Sequence, residues 1–218
     1  MSQKTKKQLL GDEVVKRLKE IYPSAECALN YKGEPWRLLV MGRLSAQCTD
    51  ARVNIVCEEL FSVYPTLEDM ANADVGSIEE IVRPCGLFRT KAQNIKDACL
   101  MLLHDFGGVL PRNMDELLLL PGVGRKIANL LLGDIYKMPA IVADTHLIRI
   151  CGRLGFYPES QKDPTRVERE MLRHIEPPEQ SDFCHRIVWF GREYCIARSP
   201  RCDTCPLADL CKHNQVKK

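Results

Sequence analysis

Cys195, Cys202, Cys205 and Cys211 fall within one short stretch, "CIARSPRCDTCPLADLC", with the spacing C-x6-C-x2-C-x5-C. Four thiolates converging from a compact loop suit a tetrahedral zinc ion or a cubane iron–sulfur cluster. Structural zinc usually takes two C-x2–4-C pairs, and only one such pair occurs, so the wider spacings favour a [4Fe–4S] cluster, with zinc as the alternative. Arg198 and Arg201 lie between the first two ligands. They would offset a cluster's negative charge, or meet an external phosphate from a loop that the cluster holds rigid.

A second concentration of chemistry is "LPGVGRKIAN", residues 120–129. Asn113 can cap a short helix, "MDELLLL", before it, and a second helix runs from about Arg125 to Lys137. A phosphate-binding P-loop would need glycine at Leu119 and Ser or Thr at Ile127, and a dinucleotide fingerprint would need glycine at Ile127. What remains is a helix–hairpin–helix in which Pro121, Gly122, Val123 and Gly124 bring backbone close to a nucleic-acid phosphate. Such a hairpin holds duplex backbone without reading sequence.

Arg125 and Lys126 sit where the helix dipole disfavours cations by up to ~1 kcal/mol, a penalty that a bound phosphate reverses. Lys126 has a second reading, because a helix N-terminus and partial burial both favour a neutral, nucleophilic amine. Asp144 in "VADTHLIR" is the best partner. It reads first as an N-cap, but a capping carboxylate could also stabilise an oxocarbenium-like sugar.

These groups need a scaffold, and the scaffold reads as all-α. Apolar residues recur at helical spacing in "FRTKAQNIKDACLMLLHDFGG" through Ala92, Ile95, Cys99, Leu102, Leu103 and Phe106, ended by Gly107 and Gly108. "EPWRLLVMGRLSAQ" starts a helix at Pro35, and "DARVNIVCEELFSVYP" another near Asp50. "DTHLIRICGRLG" runs from the Asp144 cap to Gly155, and "QSDFCHRIVWFGREYC" continues the pattern. No run alternates as a strand would, so about ten short helices are expected. A boundary falls near "KMPAIVAD", 137–144. The lysine-rich ends, "KTKK" and "VKK", read as frayed and solvated.

Composition restricts the class. The 31 Lys and Arg nearly balance the 29 Asp and Glu, so a basic surface must come from arrangement rather than excess. The eleven cysteines are an odd number with no secretory signal, which argues against a disulfide framework. Seven lie outside the cluster, several of them at apolar positions of helical patterns, where free cysteine acts as a small hydrophobe. No apolar run approaches a membrane span, and a cytoplasmic protein is expected, nucleoid-associated if the source is bacterial.

With hairpin, lysine, aspartate and cysteine loop located, the chain resembles the endonuclease III family of helix–hairpin–helix DNA glycosylases. The matching motifs occur in order: "LSAQCTD", "GLFRTKAQNI", "LPGVGRKIAN", "VADTHLIR" and C-x6-C-x2-C-x5-C. The resemblance implies two helical domains flanking a DNA-binding cleft. One is a bundle over 25–138 containing the hairpin; the other joins 1–24 to 139–218 and carries the [4Fe–4S] loop. It implies Lys126 as nucleophile, Asp144 as catalytic carboxylate, and Gln47 and Leu87 as residues that fill and wedge the gap left by an extruded base. The implied activity is that of a bifunctional glycosylase and AP lyase, excising oxidised or ring-damaged pyrimidines from duplex DNA. A monomer acting on such lesions and on abasic sites is expected.

Adenine glycosylases of similar hairpin and cluster typically carry serine in place of Lys126 and an extra C-terminal domain. Two departures from the common family pattern, Ile127 for threonine and Cys48 for alanine, lie beside functional residues. Asp50, Ile127 and His146 are candidates to line the base pocket. A glycosylase for mismatched thymine or uracil, and a non-catalytic DNA-binding module, are the alternatives.

Overall fold

The structure, a computed structural model, describes residues 3–24 and 26–216, and every regular element in them is helical. In order the α-helices are α1 Lys6–Ile21, α2 Pro35–Leu44, α3 Asp50–Val63, α4 Leu67–Asn72, α5 Val75–Val82, α6 Phe88–Asp105, α7 Met114–Leu117, α8 Arg125–Asp134, α9 Thr145–Leu154, α10 Pro164–Met171, α11 Gln180–Glu193 and α12 Lys212–Val216. Short 3-10 turns stand at Arg83–Cys85, Pro177–Glu179 and Cys202–Thr204. No helix among the described residues is long and apolar enough to cross a membrane. The chain divides into two units, Cys27–Tyr136 and a discontinuous one joining Met1–Glu26 to Lys137–Lys218.

In the continuous unit, α6 is the central helix and packs on α2, α4 and α5. Its inward stripe is Lys91, Ala92, Ile95, Ala98, Cys99 and Leu102, the i, i+4 and i, i+3 rows of one helical face. The helix stops where expected: Gly107 and Gly108 take φ of 60° and 78°, and Gly108 N–H donates to the Leu102 carbonyl at 2.9 Å. α4 begins with a capping box between Thr66 and Asp69, and Asp74 caps α5. α8 packs on α2 and on α7.

In the discontinuous unit the core is built from Val14 and Leu18 of α1, Leu147 and Ile150 of α9, and Phe183, Ile187 and Phe190 of α11, with Phe156 and Leu207. A fully buried Phe or Leu contributes roughly 1.5–3 kcal/mol, so this apolar set is what holds the N-terminal helix to the far end of the chain. The "KTKK" segment is a correction to the sequence reading. Thr5 caps α1 through a capping box with Gln8, and Lys4 pairs with Asp12 and Glu176 at 2.9 Å each. The hydroxyl and amide of Thr5 meet Gln8 instead of water, so the helix starts there rather than fraying. Of the other end, "VKK", Lys217 and Lys218 lie outside the described residues.

Candidate functional site

The hairpin is shaped by Gly122. Its φ is +77°, and a Cβ there would lie 2.7 Å from Arg43 Nε and 2.9 Å from Asn94 Cβ. Only glycine meets both conditions. Arg43 of α2 in turn donates two hydrogen bonds to Asn94 Oδ1 of α6, at 3.1 and 2.9 Å, so three helices converge behind the turn. Burial holds the Arg43 guanidinium below its ordinary pKa. Asn113 caps α7 by accepting from Glu116 N–H at 2.9 Å, and that helix is only one turn long.

Val123 turns its side chain into the core, 8% exposed, and spends its N–H on the Leu120 carbonyl. Pro121 is half-buried, and Gly122, Gly124, Arg125 and Lys126 are exposed. Gly124 is not left-handed; it is extended and caps α8 with no side-chain hydrogen bond and open space where a Cβ would be. Lys126 occupies the first turn of α8 as expected, but it is exposed rather than partly buried. Ile127 packs inward, its Cγ2 placed 3.2 Å from where a Cβ on Gly42 of α2 would stand.

Gln47 and Leu87 differ most from a sequence reading of their own residues, which gives a helix position for one and a core or turn position for the other. Gln47 lies in the turn after α2 with φ of 56°, and Leu87 caps α6 with φ of 48°. Both are exposed, Leu87 by 60%. An exposed leucine in the left-handed region is doubly unfavourable, and such strain concentrates at ligand-contacting sites. Cys48, next to Gln47, meets the thiol of Cys85; burial pushes Cys85 up to about 11, assisted by Cys48. Asp50 is half-buried at the start of α3.

In the other unit, Asp144 caps α9, its Oδ1 accepting from Leu147 N–H at 2.7 Å. His146 is half-buried, with Nδ1 3.2 Å from Arg149 Nη2 and its ring against Gly191 of α11. Arg149 reaches on to the Cys195 carbonyl at 2.9 Å. Arg153, one turn later, donates to Cys195 Sγ at 3.3 Å and to the Ile196 and Ala197 carbonyls. These two arginines, which hold the start of the cysteine loop, are what sequence reading missed at this site. Their four-residue spacing in "THLIRICGRL" was the available signal, since it places both on one helix face. Arg198 and Arg201 are exposed.

Cys195, Cys202, Cys205 and Cys211 all line one cavity, walled by Ile150, Leu154, Phe190 and Leu207. Four thiols around a largely apolar chamber, with a guanidinium donating to one sulfur, fit a buried anionic iron–sulfur cluster. The iron–sulfur binding domain of endonuclease III matches over residues 195–211, so the chain carries a [4Fe–4S] cluster, and the chemistry of these four cysteines fits it.

HhH-GPD superfamily base excision DNA repair proteins match over residues 40–177. Endonuclease III of Synechocystis sp. is 43% identical over 94% of this chain and 92% of its own, and that of Bacillus subtilis 41% over 92% and 91%. A solved non-covalent endonuclease III–DNA complex is 39% identical, covers 98% of this chain and 99% of its own, and has a TM-score of 0.90. A trapped endonuclease III–DNA covalent intermediate matches equally well. A thermostable thymine-DNA glycosylase, 20% identical with a TM-score of 0.85, shares the fold. The non-catalytic module is set aside, and the chain belongs to the endonuclease III family of HhH-GPD base excision repair proteins, a DNA glycosylase with AP lyase activity.

Proposed function

We propose that the substrates are oxidised or ring-damaged pyrimidines in duplex DNA, and that Lys126 and Asp144 carry the chemistry. A relative in this family has been trapped covalently on DNA, which requires a nucleophile on the protein. Lys126 is the observation that carries the reading: a primary amine exposed in the first turn of α8, beside a glycine turn that presents backbone to a phosphate. Since the residue is exposed in the free chain, a bound duplex would supply further desolvation of this amine. Pro121 to Gly124 and Arg125 hold the strand, with Arg198 and Arg201 adding phosphate contacts from the cluster loop.

The target nucleotide is extruded from the stack, at lowest cost for a damaged base, with Gln47 and Leu87 occupying the vacated space. The Lys126 amine attacks C1′ as the C1′–N bond breaks toward the departing base. Asp144 stabilises positive charge on the sugar, its position fixed by the Leu147 N–H. Loss of the amine proton and ring opening give a Schiff base; removal of a C2′ proton then expels the 3′ phosphate by β-elimination. Asp50, Ile127 and His146 would border the base, and Ile127, half-buried against Gly42, would alter preference through shape. The protein is expected to act as a cytoplasmic monomer, with the two units as the hairpin domain and the cluster domain.

Borohydride with thymine-glycol duplex should trap a covalent adduct, and Lys126→Ala should abolish it while leaving binding to intact duplex in place. No adduct on any damaged pyrimidine would remove the lyase assignment to this residue. Preferred release of thymine or uracil from mismatches would favour the alternative specificity.

A further inference from the structure

Lys91 is 0% exposed, at the N-terminal end of the packed face of α6. Its ammonium donates to three backbone carbonyls: Leu44 at 2.9 Å, Ala46 at 2.7 Å and Cys85 at 2.8 Å. Three donors meet three acceptors, so the group is fully satisfied without a carboxylate. A buried cation lacking a counter-ion is an expensive choice for a helix interface that an apolar side chain could fill. Two of the acceptors belong to helix ends, Leu44 closing α2 and Cys85 closing the 3-10 turn, where carbonyl dipoles favour a cation.

The acceptors also bracket the two strained residues. Ala46 C=O belongs to the peptide that leads into Gln47, and Cys85 C=O precedes Gly86 and Leu87. Lys91's own backbone N–H donates to the Leu87 carbonyl at 3.0 Å. Of the four non-glycine residues with positive φ among the described residues, Gln47 and Leu87 are the pair adjoining this hub; Lys32 and Lys137 lie elsewhere. Cys48 and Cys85 meet across the same two turns.

We infer that Lys91 is a positioning residue that locks the Gln47 and Leu87 turns in one rigid arrangement, so that both side chains enter the gap of an extruded nucleotide together. The inference rests on the reading of Gln47 and Leu87 given above. Burial pulls the Lys91 pKa below the ordinary lysine value, yet the third hydrogen bond needs the ammonium rather than the amine. Strain at Gln47 and Leu87 is thus sustained from behind, out of contact with solvent.

The test compares affinity for duplex carrying a tetrahydrofuran abasic analogue with affinity for intact duplex. Lys91→Met should keep intact-duplex binding within about twofold of wild type. Its preference for the abasic duplex should fall about tenfold or more, and kcat on a damaged pyrimidine should fall with little change in KM. A folded Lys91→Met with wild-type preference overturns the inference. If Lys91→Met does not fold, Lys91→Arg is used with amide NMR of Gln47 and Leu87. Shifted resonances with reduced preference support the inference, and shifted resonances with wild-type preference overturn it. Unshifted resonances with wild-type preference show rescue by a cation of similar donors and support it; unshifted resonances with reduced preference overturn it. Gln47→Ala and Leu87→Ala separate the two layers: if both keep wild-type preference, the gap-filling reading itself fails. If they lose it while Lys91→Met does not, only the positioning role fails.

Discussion

A Cβ on Gly122 would collide with Arg43 and Asn94 on a backbone whose φ of +77° already disfavours any side chain. Gly122→Ala should therefore destabilise the protein by about 1–3 kcal/mol and weaken duplex binding, measurable by denaturant melts and fluorescence anisotropy. Gly124, extended and open, should tolerate alanine in the melt while still losing affinity through lost backbone approach. Leu87 is the converse case. Leu87→Gly relieves left-handed strain, so stability should stay level or rise by up to ~1 kcal/mol while lesion release falls. A melt that drops with Leu87→Gly would show that the leucine is structural. The glycines of the hairpin were legible because their spacing excludes other phosphate loops. The strain at Gln47 and Leu87 was not, because backbone φ at a non-glycine residue is imposed by packing that residue type does not announce, such as Lys91 holding the distant Ala46 carbonyl next to Gln47.

Helices with end signals were the easiest to read. Asp144 and Gly155 delimit α9, Pro35 opens α2, and the glycine pair closes α6. The short helices α4, α5 and α10 were missed, although Thr66, Asp74 and Asp163 cap them, because six to eight residues give barely two turns of periodicity. Lys91 was missed because a lysine counts as polar in any pattern, even where it shares a stripe with Ile95 and Cys99. Charge also joins elements. Glu170 of α10 accepts from Lys7 of α1 at 2.8 Å and lies 3.1 Å from His174 Nε2. Those partners, Lys7 first, hold its pKa below the ordinary 4.5. A lowered carboxylate pKa means stability that is fully present above the ordinary value and drains as pH falls through the folded-state value. Glu170→Gln should cost about 0.5–1 kcal/mol near pH 7 and nothing once the wild-type carboxylate is protonated, seen as converging melting curves in acid. A constant difference across that range would point to packing instead.

The discontinuous unit depends on contacts that cross most of the chain length. Arg17 of α1 pairs with Asp209 at 2.6 Å and donates to the Pro206 carbonyl at 3.0 Å, joining the first helix to the cysteine loop. No local pattern announces a partner nearly two hundred residues away, so this part of the architecture was reachable only through family resemblance. The loop has little regular structure of its own beyond the 3-10 turn at Cys202–Thr204, yet it buries Leu207 in the core. A cluster bridging Cys195, Cys202, Cys205 and Cys211 would supply the cross-links that such a segment lacks. Oxidative loss of the cluster with chelation should therefore release the loop before either helical unit melts. Trypsin should then cut first after Arg198 and Arg201, which are exposed in the folded chain. Mass spectrometry of the fragments against loss of visible absorbance follows the order. Equal cleavage at these sites with and without the cluster would mean that Arg149, Arg153 and the Leu207 anchor hold the loop unaided. The salt slope of duplex binding should fall on cluster loss too if Arg198 and Arg201 make the phosphate contacts proposed for them.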